Sequence, residues 1–317
     1  PDGEVIDHVV RMRRLPERQS LASIVRSRRR GPSGPRDTDP TAEGVREVAR
    51  QVARLHAGSP RTAEIDAAGN PDTVAGLWTE SLEHLRRLCV GQDAPEIVED
   101  IATLAEAYLR GRRPLLEARV AAGRIVDGHG DLLAADVYLT DDGPRIIDCL
   151  EFDDRLRFGD AMLDIGFLAM DLDRLGATDL AVVLLQTYRE ACDEAPPSLV
   201  HHYMAYRALV RAKVTAIRAG QGSGAGTGPS GDATPEDGAD SAERIADARL
   251  AIELADRAVD ALLRGRVRLV LVGGVSGSGM DDIHPFPPQQ IAQPPDLGQR
   301  SQVVALGDSP GEMFGSV

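Results

Sequence analysis

The chain has 317 residues, enough for two ordinary domains with sizeable cores, although aromatic residues make up only 3% of it. Its formal charge of −14, from 36 Lys+Arg against 50 Asp+Glu, argues against a general polyanion binder, so nucleic acid is not an expected partner. No apolar run approaches the roughly 18 residues of a membrane span and no basic-then-apolar leader opens the chain, so no membrane partner is expected and the cytoplasm is the expected location. Cys89, Cys149 and Cys192 are far apart and form no C-x-x-C pair, which predicts buried small hydrophobes rather than disulfides or a thiolate metal site.

In chain order, residues 5–15 read as a short strand running into a basic stretch, and the chain is expected to begin inside a fold. Between Arg11 and Arg36 nine arginines accompany one acid, Glu17; the run suits a phosphate or an acidic partner, or else a solvated helix face or mobile segment. Asp39 is placed to cap a helix with Pro40 at its first position, and Val45, Val48, Val52 and Leu55 give that helix an apolar face. Further helices are predicted near 77–90 and 94–119. From 124 to 150 the pattern turns to β, with Asp141-Asp142-Gly143 marking a hairpin between DVYLT and PRIIDCL. Helical periodicity returns in AMLDIGFLAMDLDRLG, in DLAVVLLQTYREAC and over 198–218.

Residues 219–240 are rich in Gly, Ser and Pro and read as a flexible linker and domain boundary. Beyond it Asp240 and Glu243 make a capping box for a helix to Gly265, followed by the strand VRLVLVGG and the turn GGVSGSG. From Met280 there are six Pro and five Gln in 38 residues, which predicts a disordered tail. The expected division is a first domain over 1–218, a linker over 219–240, the start of a second domain over 241–279 and the tail over 280–317.

The chemistry concentrates in HGDLLAADVYL and IIDCLEFDD. A hairpin pairing Thr140 with Pro144 would set Asp136 roughly opposite Asp148, two like charges that make sense with a divalent cation between them, and oxygen ligands favour magnesium. Asp131, on the loop into the same ribbon, is placed to accept a proton from a substrate hydroxyl as it attacks phosphorus. The bland alternative is that Asp131, Asp136 and Asp148 are turn and strand-end acids facing water.

His129-Gly130-Asp131 with Asp136 five residues on, then Ile147-Asp148, then Gly159-Asp160-x-x-x-Asp164, resemble the H-G-D-x-x-x-x-N, I-D and G-D-x-x-x-D elements of aminoglycoside phosphotransferase-like kinases. The resemblance implies Asp131 as catalytic base and Asp148 as a magnesium ligand, with Asp136 standing where the family usually has a metal-binding Asn. It implies that His129 holds the loop and that Asp164 anchors it from the following helix. LEFDDRLRFGDAMLDIGFLAMDL resembles a bacterial subgroup in which this kinase-like domain precedes a P-loop nucleotide-binding domain. The match covers roughly 5–218 and 241–279. The implied fold is α+β and mostly helical: a protein-kinase-like C-lobe with a small catalytic hairpin, plus a helix-strand stub of a P-loop α/β domain.

Two departures accompany the resemblance. The family's Gly-rich strand-loop-strand and β-strand Lys, which hold the ATP phosphates, have no counterpart in this sequence. Gly274, Gly277 and Gly279 keep the glycine frame of a P-loop, but Met280 and Asp281 replace the Lys and hydroxyl of G-K-[ST]. The kept glycine frame and the loss of α/β character after it predict a truncation or a change of reading frame near residue 280; the alternative is a glycine turn that never bound phosphate. The sequence therefore points to an ATP- and magnesium-dependent phosphotransferase acting on a small-molecule hydroxyl by ancestry, inactive or impaired as this chain. The alternatives are a non-catalytic remnant or binding module, and a P-loop ATPase.

Overall fold

The computed structural model describes residues 14–28, 39–88, 94–221 and 235–266. Within them the chain is mostly helical with two small antiparallel ribbons, the α+β class expected from the sequence. The helices are α1 (Leu21–Arg28), α2 (Pro40–Ala57), α3 (Ala63–Ala68), α4 (Pro71–Leu88) and α5 (Ala94–Ala121), then α6 (Met162–Arg174), α7 (Thr178–Ala191), α8 (Pro197–Gln221) and α9 (Pro235–Arg264). Between α5 and α6 lie β1 (Ile125–Asp127), β2 (Val137–Thr140), β3 (Gly143–Ile146) and β4 (Phe158–Asp160). No described helix is long and apolar enough to cross a membrane.

Helix α2 starts where its cap dictates: the Asp39 carboxylate accepts the Thr41 N–H at 2.9 Å with Pro40 at the first helical position. Its buried stripe runs through Val45, Val48, Ala49, Val52, Ala53 and His56. That 3.6-residue drift leaves Leu55, expected in the core, 47% exposed at the edge of the stripe. Helix α6 is buried almost all round, from Met162 and Ile165 to Met170 and Leu172, because α7 and α8 pack on it. A Cβ on Gly166 would come within 3.3 Å of the Met204 backbone, which is what lets α6 and α8 approach closely.

β1 pairs with β4 and β2 with β3. The hairpin forms about the expected acidic turn, but its register is one residue tighter than expected. Thr140 pairs with Gly143 rather than Pro144, so Asp136 faces Ile147 and not Asp148, with the Ile147 N–H on the Asp136 carbonyl at 3.0 Å. The cause is the loop, which is Asp141-Asp142 alone. Gly143, at φ 99°, already belongs to the return strand.

Helix α9 corrects the expected boundary. It lies along α8 and against α5, burying Leu254, Ala258 and Leu262, and the described residues up to Gly265 fall in one compact unit. An apolar stripe at i, i+4, i+8 needs a partner face, and α8 supplies it. The helix assigned to a second domain therefore completes the first core. Residues 219–221 and 235–240, expected as linker, are helical, and Asp240 lies inside α9 rather than at its cap. The expected strand over 5–15, save its last two residues, the P-loop glycines Gly274, Gly277 and Gly279, the tail 280–317 and Cys89 lie outside the described residues.

Candidate functional site

The segment joining β1 to β2 is held by carboxylates of α6. Gly128 has no room for a side chain, since a Cβ there would lie 2.3 Å from Asp164 Oδ2. Gly130 takes φ 83°, a left-handed step natural to glycine. These two glycines let successive backbone N–H groups turn onto one carboxylate: His129 N–H donates to Asp164 Oδ2 at 2.5 Å and Gly130 N–H to Oδ1 at 3.0 Å. His56 of α2 adds a third bond, its Nε2 lying 3.1 Å from Asp164 Oδ2 while its Nδ1 is 2.7 Å from the Tyr188 hydroxyl. Burial pushes the Asp164 pKa up, but the His56 hydrogen bond and charge, the Arg207 charge and the His129 N–H outweigh it and hold Asp164 at about 2. Asp164 is thus an ionised, buried clamp on the His129 and Gly130 N–H groups.

Two helical turns along, the buried Asp171 repeats the device. Its Oδ2 accepts the Ala134 N–H at 3.1 Å, and Arg174 Nε and Nη2 donate to its Oδ1 at 2.9 and 2.7 Å. Asp164 and Asp171 share one face of α6, and so fix both ends of the loop that carries Asp131.

His129 joins this loop to the chain after β3. The Ile147 carbonyl, 3.0 Å away, can only accept, so the proton is on Nε2, and Nδ1 is left to accept the Asp131 N–H at 3.4 Å. The Leu150 N–H and the Cys149 thiol both donate to the His129 carbonyl, at 3.2 and 3.4 Å. Residues 147, 149 and 150 are thereby tied to the loop, which brings Asp148 back toward Asp131 despite the shifted hairpin register. Asp148 has φ 64°, the one positive φ outside glycine among the described residues. A carboxylate held in that sparsely populated region is strained backbone at the centre of the cluster. Cys149, expected to be buried, is exposed because the chain has left the hairpin for the surface.

Asp131, Asp136 and Asp148 act on one another. Burial pushes Asp131 up, with Arg211 and then Arg207 opposing and Asp148 adding to the rise. Burial, then the charges of Asp131, Asp148 and Asp171, push Asp136 up to about 6. A carboxyl group poised there can take or give a proton near neutral pH, and carboxylates short of counter-charge attract a hard divalent cation. Among the described residues no group of three or more His, Cys, Asp and Glu is close enough to hold a metal by itself. A cation held by Asp136 and Asp148 would complete its shell with water and ligand oxygens, which is the habit of magnesium.

Asp160, from the same Gly-Asp-x-x-x-Asp run as Asp164, belongs to a different cluster. Arg119 of α5 donates Nε and Nη2 to its two oxygens at 2.8 and 2.6 Å, and Nη1 and Nη2 to Asp193 at 2.8 and 2.5 Å. All three side chains are buried.

The sequence reading missed His56, Asp171, Arg207 and Arg211. A signal for Asp171 was present: in the apolar run MLDIGFLAMDL two acids seven residues apart lie on one face, so both are expected to be buried and bonded. His56 carried no such mark, because its partner is 108 residues away.

No family profile matches the sequence. The chain is 36% identical over 280 residues to uncharacterized proteins of Mycobacterium tuberculosis (strains H37Rv and CDC 1551) and Mycobacterium bovis, an alignment covering 88% of this chain and 50% of each relative. The chain thus spans about half the length of the curated relatives it matches.

Proposed function

We propose that this chain carries the acceptor-activating and metal-binding half of an ATP-dependent phosphotransferase resembling the aminoglycoside phosphotransferase-like kinases, acting on a hydroxyl of a small molecule. The observation that carries the reading is the Asp164 clamp on the His129 and Gly130 N–H groups, which presents Asp131 beside Asp136 and Asp148. In this reading Asp131 accepts the proton of the attacking hydroxyl. Its raised affinity for protons suits that task, because a base is most effective with a pKa near the working pH. Asp136 and Asp148 would hold magnesium, which when bound neutralises charge on transferring phosphoryl oxygens. The donor set fits in its chemistry: hard oxygens, and mutual repulsion without a cation. His129 and Asp164 keep Asp131 in place and need not touch substrate.

Calorimetric titration of the chain with ATP, with and without magnesium, tests the reading. Magnesium-dependent saturable binding that Asp148→Asn removes is the expected result for a nucleotide site completed by these residues. Absence of binding by the chain and by a form extended to the full length of its relatives would reject it.

A further inference from the structure

Helix α8 brings two arginines to the Asp131 side of the site. Arg207 is 7% exposed, with its guanidinium carbon 4.7 Å from the Phe167 ring centroid, Nε donating to the Leu163 carbonyl at 3.2 Å and Nη2 3.8 Å from Asp164 Oδ1. That Nη2 is buried and makes no hydrogen bond. One helical turn on, hence on the same face, stands Arg211, half-buried. Nearby arginines are spent: Arg157 is locked on Asp127 and Arg174 on Asp171. Arg211 makes no hydrogen bond or ion pair with any described residue, yet it is the foremost positive charge acting on Asp131 and also acts on Asp136. An arginine that served only to neutralise Asp131 would close onto it, as Arg119 closes onto Asp160.

We infer that Arg211, backed by the buried Arg207, binds an anionic group, carboxylate or phosphate, on the molecule whose hydroxyl meets Asp131. This rests on the phosphotransferase reading and narrows its substrate class to hydroxyl compounds bearing a negative charge. The physical case is the free guanidinium fork. It offers paired donors matched to two oxygens of one oxyanion, and the positive charge that Arg211 and Arg207 together set against Asp131 lessens the repulsion such an anion meets there. A neutral polyol would gain nothing from Arg211.

The test compares three-carbon probes that differ in charge: glycerol 3-phosphate, glycerate and glycerol, each titrated calorimetrically into the chain in saturating magnesium. Saturable binding of either anion but not of glycerol is expected, and the better of the two identifies the group. Arg211→Gln should weaken that binding by roughly tenfold or more, with Arg211→Lys intermediate, since a charge remains but the fork is lost. Arg218→Gln, on the exposed end of the same helix, should leave it unchanged. Equal binding of glycerol and the anions, no binding of either anion, or full binding by Arg211→Gln would overturn the inference. Magnesium-ATP titrated into the same variants separates the two ideas. Nucleotide binding without anion binding leaves the phosphotransferase reading standing and removes this one. A loss of nucleotide rather than probe affinity in Arg211→Gln would assign Arg211 to the nucleotide and also overturn it.

Discussion

Two groups of aspartates are treated in opposite ways. Asp160 and Asp193 meet one buried arginine, and each carboxylate receives two guanidinium hydrogen bonds between 2.5 and 2.8 Å. Asp131, Asp136 and Asp148 act on one another and form no ion pair with any described residue; one of them is at a strained φ, and two of them hold their protons more tightly than usual. Asp164 and Asp171 are a third case, each buried and each spent on loop N–H donors together with His56 or Arg174. The contrast teaches that this fold pairs the acids that serve its architecture and leaves three others without a counter-charge, which is where the proposed function places its chemistry.

Breaking the neutralised group should have the largest effect. Arg119→Met strands two buried carboxylates and should cost about 3–5 kcal/mol in chemical unfolding, enough to threaten the fold. Removal of the clamp comes next: Asp164→Ala deletes the acceptor for two backbone N–H groups and the partner of His56, and should cost about 3 kcal/mol. It should also abolish any nucleotide binding, because the loop bearing Asp131 is released. The Asp164 contribution has a defined pH window. Its folded pKa of about 2 lies below the ordinary 3.8, so the stability it confers is complete above about pH 4 and is lost as pH falls toward 2. Acid unfolding of the parent and of Asp164→Asn should differ in that window and converge below it.

The unneutralised group should behave with the opposite sign. Asp136 is raised from 3.8 to about 6, so the folded state binds its proton more tightly than the unfolded chain, and stability falls as pH rises through that interval. After discounting for solvent screening at a half-exposed group, the loss is about 1 kcal/mol. Asp136→Asn should flatten the unfolding profile between pH 4 and 6 and leave the protein equally or slightly more stable above it. A less stable Asp136→Asn at pH 7 would mean that this carboxylate supports the fold, and the contrast between the two groups would fail.

One side of this contrast, the loop and its acids, was legible in the sequence because its signals are local, whereas the pairing of Arg119 with Asp160 and Asp193 was not. The hairpin turn, the α2 cap and the spacing of His129, Asp131, Asp136, Asp148 and Asp164 are short-range patterns, and all five residues gather around one loop. What escaped the reading depends on partners far along the chain. The hairpin register turned on whether Gly143 belongs to the loop or the strand, a choice composition does not make. The folding back of Asp148 depends on its own positive φ and on His129 reaching Ile147, which restores by a kink the proximity that the register removes. Helix α9 was misassigned because a Gly-rich segment before it reads as a boundary, while its apolar stripe is equally suited to α8. His56, Arg207 and Arg211 sit on helices whose periodicity says only that a face is buried.

The central claim, that the Asp131–Asp136–Asp148 group awaits a cation, is tested most directly by magnesium itself. The midpoint of thermal unfolding at pH 7.5 should rise with magnesium concentration and saturate, as linkage requires of an ion that binds only the folded state. The rise should vanish when Asp136→Asn and Asp148→Asn are combined, whereas Asp193→Asn, in the neutralised group, should keep it even from a lower starting midpoint. An unchanged midpoint in the parent, or the same rise in the double variant, would contradict the account.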